Sequence, residues 1–156
     1  MEKEEAKEIA LEKSKLLLEY IEQFMSDNSV VGHISIVSGN DLDSKEAMCY
    51  IEIMLNNGFE RVIKTDITAQ QSDVLSEQIL IDIAERYACD EDVFISKFYT
   101  VKSNRESMHG ISIGNNKGCY IRLNFLCRGI DFDKVVERYS MQLITIENRI
   151  NRTRGI

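Results

Sequence analysis

Residues 47–67 read AMCYIEIMLNNGFERVIKTDI, and the fold turns on whether the first half of this stretch is a helix or a strand. As a helix it starts with Asp43 and Glu46 as a capping box. Ala47, Tyr50, Ile51, Met54 and Leu55 then repeat at helical spacing, Lys45, Cys49, Glu52 and Asn56 line the opposite stripe, and Asn57-Gly58 supplies the stop. As strands, CYIEIML, NNG and FERVIKTDI make a β-hairpin around an Asn-Gly turn. The helical reading leads here on its cap, stripe and stop, and the hairpin stands as its alternative.

Working outward, VVGHISIVSG (30–39) is β-branched and bounded by Asn28 and Gly39, a strand. Before it, residues 4–26 form a helix with an apolar stripe through Ile9, Leu17, Tyr20, Ile21 and Phe24, whose Glu- and Lys-rich first turns start as a solvated projection. After the deciding stretch, RVIKTDI ends in Thr68 and Gln71, which cap a helix running to about Ala88. VFISKFYTVK (93–102), apolar on both faces, reads as an inner strand. In ISIGNNKGCYIRLNFLC (111–127) a Gly-bounded turn leads into a strand with Cys119, Ile121, Leu123, Phe125 and Cys127 on one face. Tyr120, Arg122, Asn124 and Arg128 lie on the other, with Leu126 among them, so this strand is solvated on one side. From Asp131 to about Arg152, Phe132, Val136, Tyr139, Leu143, Ile146 and Ile150 form a seam that needs a helical partner, either the first helix or a second copy.

The expected architecture is therefore one α+β domain over 1–156. A β-α-β-α-β-β mixed-sheet core (30–127) has helices packed on it, with an extra N-terminal helix (1–27) and an extra C-terminal helix (131–152). The hairpin alternative makes the order α-βββ-α-βββ-α instead, closer to that of secretion chaperones.

The β-α-β-α-β-β order, the strand-loop-helix segment RVIKTDITAQQSDVLSEQILIDIAERY and the final hairpin with its basic, Gly-containing tip resemble the Alba superfamily of small nucleic-acid-binding proteins. Its fold is shared with the C-terminal domain of bacterial initiation factor three. The resemblance implies nucleic-acid contacts at Lys64, Lys102, Arg105 and Lys117. Ser38-Gly39-Asn40-Asp41 stands where that family usually presents lysines, and Thr68-Ala69-Gln70-Gln71 where it often has a glycine. Both departures weaken the carry-over of duplex-DNA binding.

Charge points the same way. The net charge is −7, yet residues 1–92 hold 21 acidic and 8 basic side chains while 93–156 hold 5 acidic and 11 basic. The basic half holds Lys97, Lys102, Arg105, Lys117, Arg122 and Arg128, cations that neutralise phosphates, with Tyr120 or Tyr99 beside them to stack on an unpaired base. The competing use of these cations is to pair with the chain's own acidic half. Arg149, Arg152 and Arg154 suit the last turn of a helix.

A chain 44% hydrophobic and 29% charged folds without staples. Cys49, Cys89, Cys119 and Cys127 lack C-x-x-C spacing, and a charged N-terminus replaces the apolar run of a signal peptide. A cytoplasmic location with reduced thiols is expected, with no membrane partner. No metal or cofactor is expected. Cys119 and Cys127 on one strand lie about 26 Å apart, His33 and His109 sit in no ligand pair, and Gly110, Gly114 and Gly118 join two strands where a phosphate loop opens onto a helix. The only nucleophile–base pair in view is His109 with Cys119, and a thiol on an inward strand face is core.

The expectation is a non-enzymatic Alba-like RNA or single-strand binder using Lys64, Lys102, Arg105, Lys117, Tyr120, Arg122 and Arg128, acting as a dimer or complex subunit that associates through its terminal helices. The alternative is an acidic protein-binding module of the adaptor, chaperone or inhibitor kind, as a phage anti-defence protein would be. It would present Glu5, Glu8 and Glu12, or Asp41, Asp43 and Glu46.

Overall fold

A computed structural model describes residues 2–26, 30–40, 46–87, 90–103 and 106–126. The elements run α1 (Lys3–Ser26), β1 (Val31–Asn40), β2 (Ala47–Leu55), β3 (Glu60–Thr68), a 3-10 turn (Ala69–Gln71), α2 (Ser72–Tyr87), β4 (Val93–Ser103), β5 (Glu106–Asn115) and β6 (Tyr120–Leu126). The class is α+β, with one six-stranded mixed sheet ordered β3-β2-β1-β6-β5-β4 and two helices packed on it. Only the central β1–β6 pair is parallel. The expected helix at 131–152 lies outside the described residues.

The deciding stretch is a hairpin, so the helix expected over it is corrected to the strand Ala47–Leu55 and a turn. Cys49, Ile51, Ile53 and Leu55 are buried while Glu52 is half-buried and Met54 exposed, which is the two-residue period of a strand. The helical stripe and this alternation share Ile51 and Leu55, so periodicity alone does not separate them. The turn does. Gly58 takes φ 89°, Leu55 N donates to Phe59 O at 2.9 Å and Asn57 Oδ1 accepts from Phe59 N at 3.0 Å, a three-residue loop that needs glycine at its left-handed position. The β5–β6 turn repeats the design, with Gly118 at φ 91° and Asn115 Oδ1 accepting from Lys117 N and Cys119 N. The observed order, α-βββ-α-βββ, therefore lacks the helix between first and second strands on which the Alba-like order rests.

Three further expectations are corrected. Ala6 and Ala10 are fully buried, so α1 is packed from its first turn rather than projecting into solvent. Thr68 makes no side-chain cap bond, and the chain enters α2 through the 3-10 turn. VFISKFYTVK is not an inner strand among the described residues, where β4 stands at the edge of the sheet.

The core lies between the helices and one sheet face. Ile34 and Ile36 (β1), Ile51 and Ile53 (β2), Ile111 and Ile113 (β5), and Ile121, Leu123 and Phe125 (β6) point inward and are at most 4% exposed. The two helices are joined by polar contacts as well. The buried Ser14 hydroxyl donates to Asp82 Oδ2 at 2.6 Å, Gln78 Nε2 donates to Asp82 Oδ1 at 2.9 Å, and Arg86 pairs with Glu22. Phe59 at the hairpin tip packs on Tyr20 and Phe24, and the Arg61 guanidinium lies 5.3 Å from the Tyr20 ring centre. These contacts anchor β2–β3 under α1, and among the described residues nothing packs on the opposite sheet face.

Candidate interaction surface

Strand alternation sends Val31, His33, Ser35 and Val37 of β1 to the face away from the helices. The register sets them beside Tyr120, Arg122 and Asn124 of β6 and beside Met54, Glu52 and Tyr50 of β2, with Val62 and Lys64 of β3 beyond. Of the five large apolar side chains exposed among the described residues, four stand here: Val31 at 43%, Met54 at 43%, Val62 at 62% and Tyr120 at 49%. Val31 is registered with Tyr120, Met54 lies diagonally from Val31, and Val62 diagonally from Met54. The four thus form a band across β6, β1, β2 and β3. Arg122, His33 and Glu52 flank it on one side, and Glu60 on the other.

Of the cations expected to act together, Lys64, Lys117 and Arg122 lie apart. Arg122 is exposed on β6 between His33 and Ser112, and the Tyr120 hydroxyl is hydrogen-bonded to Ser112 Oγ at 3.0 Å. Lys64 shares their face, but three strand spacings and four residues along separate it from Arg122, about 20 Å. Lys117 sits in the β5–β6 turn, at a cavity of about 490 Å³ that it lines with Glu22, Asp90 and Asp92. The cavity that Lys117 lines thus also carries three carboxylates of the acidic half. Tyr87 lines the same cavity, and burial, helped by Glu22, pushes its phenol up to about 12 against the opposing Arg86. Lys102 is on edge strand β4, while Arg105 and Arg128 lie outside the described residues.

Of the acidic residues named for protein binding, Glu5, Glu8 and Glu12 are exposed on α1, in the helix layer and away from the apolar band. Glu46 is exposed in the bend before β2, and Asp41 and Asp43 lie outside the described residues. Sequence reasoning thus found Tyr120 and Arg122 by alternation. It missed Met54 and Val62, because the helical reading assigned Met54 to a buried stripe and the hairpin was needed to bring Val62 beside it.

Cys49 and Cys119 are buried. The Cys49 thiol is pushed up to about 11 by burial, with the Asp73 carboxylate adding to the effect, so it stays protonated. The register sets His109 opposite Phe125, about six residues along the hairpin from Cys119, or about 20 Å. No group of three His, Cys, Asp or Glu among the described residues is placed to hold a metal ion. No helix among them is long and apolar enough to cross a membrane.

Comparison with known proteins gives no match: no family model, no curated protein and no solved structure matches this chain. The reading of function rests on the surface itself.

Proposed function

We propose that the chain is a non-enzymatic protein-binding module that docks a partner protein on its open sheet face. The observation that carries this is the band Tyr120–Val31–Met54–Val62, apolar at its centre and bordered by charges of both signs. Contiguous exposed apolar residues with a charged rim mark protein interfaces. A phosphate backbone asks instead for converging cations, and among the outward residues of β1 and β6 Arg122 stands with His33, Ser35 and Asn124. The test is quantitative capture by the wild-type chain and by a Met54→Glu, Val62→Glu variant. A partner recovered by the first and lost by at least tenfold from the second, at unchanged melting temperature, supports the reading. Equal recovery contradicts it.

A second reading, binding of single-stranded RNA, draws on Tyr120 and Arg122 standing two residues apart on the exposed side of β6. An aromatic ring beside a guanidinium is the pairing that stacks and neutralises an unpaired nucleotide. It predicts salt-sensitive RNA affinity that falls in a Tyr120→Ala, Arg122→Ala variant. Absence of RNA binding at low salt removes it.

A further inference from the structure

Asn57-Gly58 is the only Asn-Gly pair in the chain, and the β2–β3 turn holds it in a reactive geometry. The Asn57 carboxamide folds toward the C-terminal side, where its Oδ1 accepts from Phe59 N at 3.0 Å. Cγ is thereby turned to the side of the Gly58 nitrogen, with which it can close a five-membered ring. The Phe59 N–H draws electron density from Cγ and stands ready for the negative charge that Oδ1 gains when Cγ is attacked. No side chain shields the Gly58 nitrogen, both residues are exposed, and a Cβ built at Gly58 would meet nothing within 4 Å. One restraint opposes the attack, since Gly58 N donates to Leu55 O at 3.2 Å. That bond closes a single exposed turn, and such bonds open locally without unfolding the sheet.

Asn115 in the β5–β6 turn is the built-in comparison. Its Oδ1 accepts from Lys117 N at 3.0 Å and from Cys119 N at 3.1 Å, so the oxygen is at least as well supported. Its Nδ2, however, donates to Met25 O at 2.7 Å, and the nitrogen placed to attack belongs to Asn116, which carries a side chain. The two turns share the environment of the oxygen and differ in the nucleophile and the leaving group.

We infer that Asn57 is a site of spontaneous deamidation through a cyclic imide, with water as the only other reactant. The Gly58 nitrogen gives up its proton and bonds to Asn57 Cγ, the Cγ–Nδ2 bond breaks, and ammonia leaves with that proton. Water then adds to one imide carbonyl and breaks its bond to the Gly58 nitrogen, which regains a proton. Opening at Cγ leaves aspartate. Opening at the main-chain carbonyl leaves an isoaspartyl linkage, one carbon longer, in a loop whose span is set by the bond from Leu55 N to Phe59 O. The same hairpin carries Met54 and Val62, so on the protein-binding reading the modification alters that surface with age, while its chemistry stands without that reading.

The test ages the full chain in heavy-oxygen water at neutral and at mildly alkaline pH, beside the peptide IMLNNGFER (53–61). Mass spectrometry follows each asparagine, and isoaspartyl methyltransferase reads the isoaspartate. The expected result is loss of the Asn57 amide within tenfold of the peptide's rate and at least tenfold faster than that of Asn115. It should quicken with pH, take up one heavy oxygen and yield both isoaspartate and aspartate. A folded chain in which Asn57 lags the peptide by more than tenfold, or leads Asn115 by less, overturns the inference, as does aspartate without isoaspartate. Asn57→Gln, which keeps a carboxamide but lengthens the ring to be closed, should stop the reaction at this turn, and isoaspartate persisting at the same level would place it elsewhere. Failure of the capture experiment above bears on the protein-binding reading alone.

Discussion

Cys49 shows how burial fixes the chemistry of a side chain. Its thiol is held near 11, against 9.0 for an unburied one, while the unfolded chain ionises it from about 9. Between those values the unfolded state releases a proton that the folded state keeps, so stability falls as pH rises through the window. Cys49→Ala should remove that part of the slope, as measured by denaturant midpoints from pH 8 to 11, whatever its effect on packing at neutral pH. Gly32 is decided by space. A Cβ there would lie 2.3 Å from Met54 O and 2.8 Å from Leu55 Cα, both backbone atoms, whereas at Gly39 the nearest atom is a Tyr50 ring carbon at 3.5 Å. Gly32→Ala should therefore cost about 3 kcal/mol in chemical denaturation, and Gly39→Ala under about 1 kcal/mol. Alternation made the inward Ile121, Leu123 and Phe125 and the outward Tyr120 and Arg122 legible from sequence. The tight spot at Gly32 was not, because it depends on the backbone of β2, which the leading reading had made a helix.

At the level of elements, the two helices are joined through Asp82, which accepts from Ser14 on α1 and from Gln78 one turn earlier on α2. Asp82→Ala leaves the fully buried Ser14 hydroxyl without its acceptor and should cost about 2 kcal/mol. Ser14→Ala in the Asp82→Ala background should cost much less than in the wild type, since the lost contact is shared, and a double-mutant cycle by thermal melting measures this. Both helices and four of the strands could be read in advance, as their periodicity or alternation has one interpretation. The β2 segment could not, since its apolar residues fit both periods and only the hydrogen bonds of the Asn57-Gly58 turn separate them. Nor could the edge position of β4. Apolar residues on both alternations announce that a strand has something on each side, not whether the neighbour belongs to the same chain.

Among the described residues the helices hold one sheet face and the other carries the apolar band, so the two faces are unlike. The helix layer is rich in carboxylates, with Glu4, Glu5, Glu8, Glu12, Glu19 and Glu22 on α1 alone. One cation of the basic half, Lys117, lines a cavity together with Glu22, Asp90 and Asp92 of the acidic half. The sum of charges was legible and its destination was not, since that depends on which turn meets which helix end. Substituting the four band residues with polar groups of similar size should leave the melting temperature within a few degrees, because exposed positions on an uncovered face contribute little to folding. Differential scanning calorimetry checks that expectation, and a large loss would mean that the face is covered in the native chain.

The most direct test of the central claim is paired capture from the source cell with the wild-type chain and the Met54→Glu, Val62→Glu variant, quantified by mass spectrometry at equal folded concentration. A protein-binding module working through this face predicts a defined partner, enriched by the wild type and lost by at least tenfold from the variant. The same set of proteins recovered by both chains, or nucleic acid recovered by both in place of a protein, would contradict it.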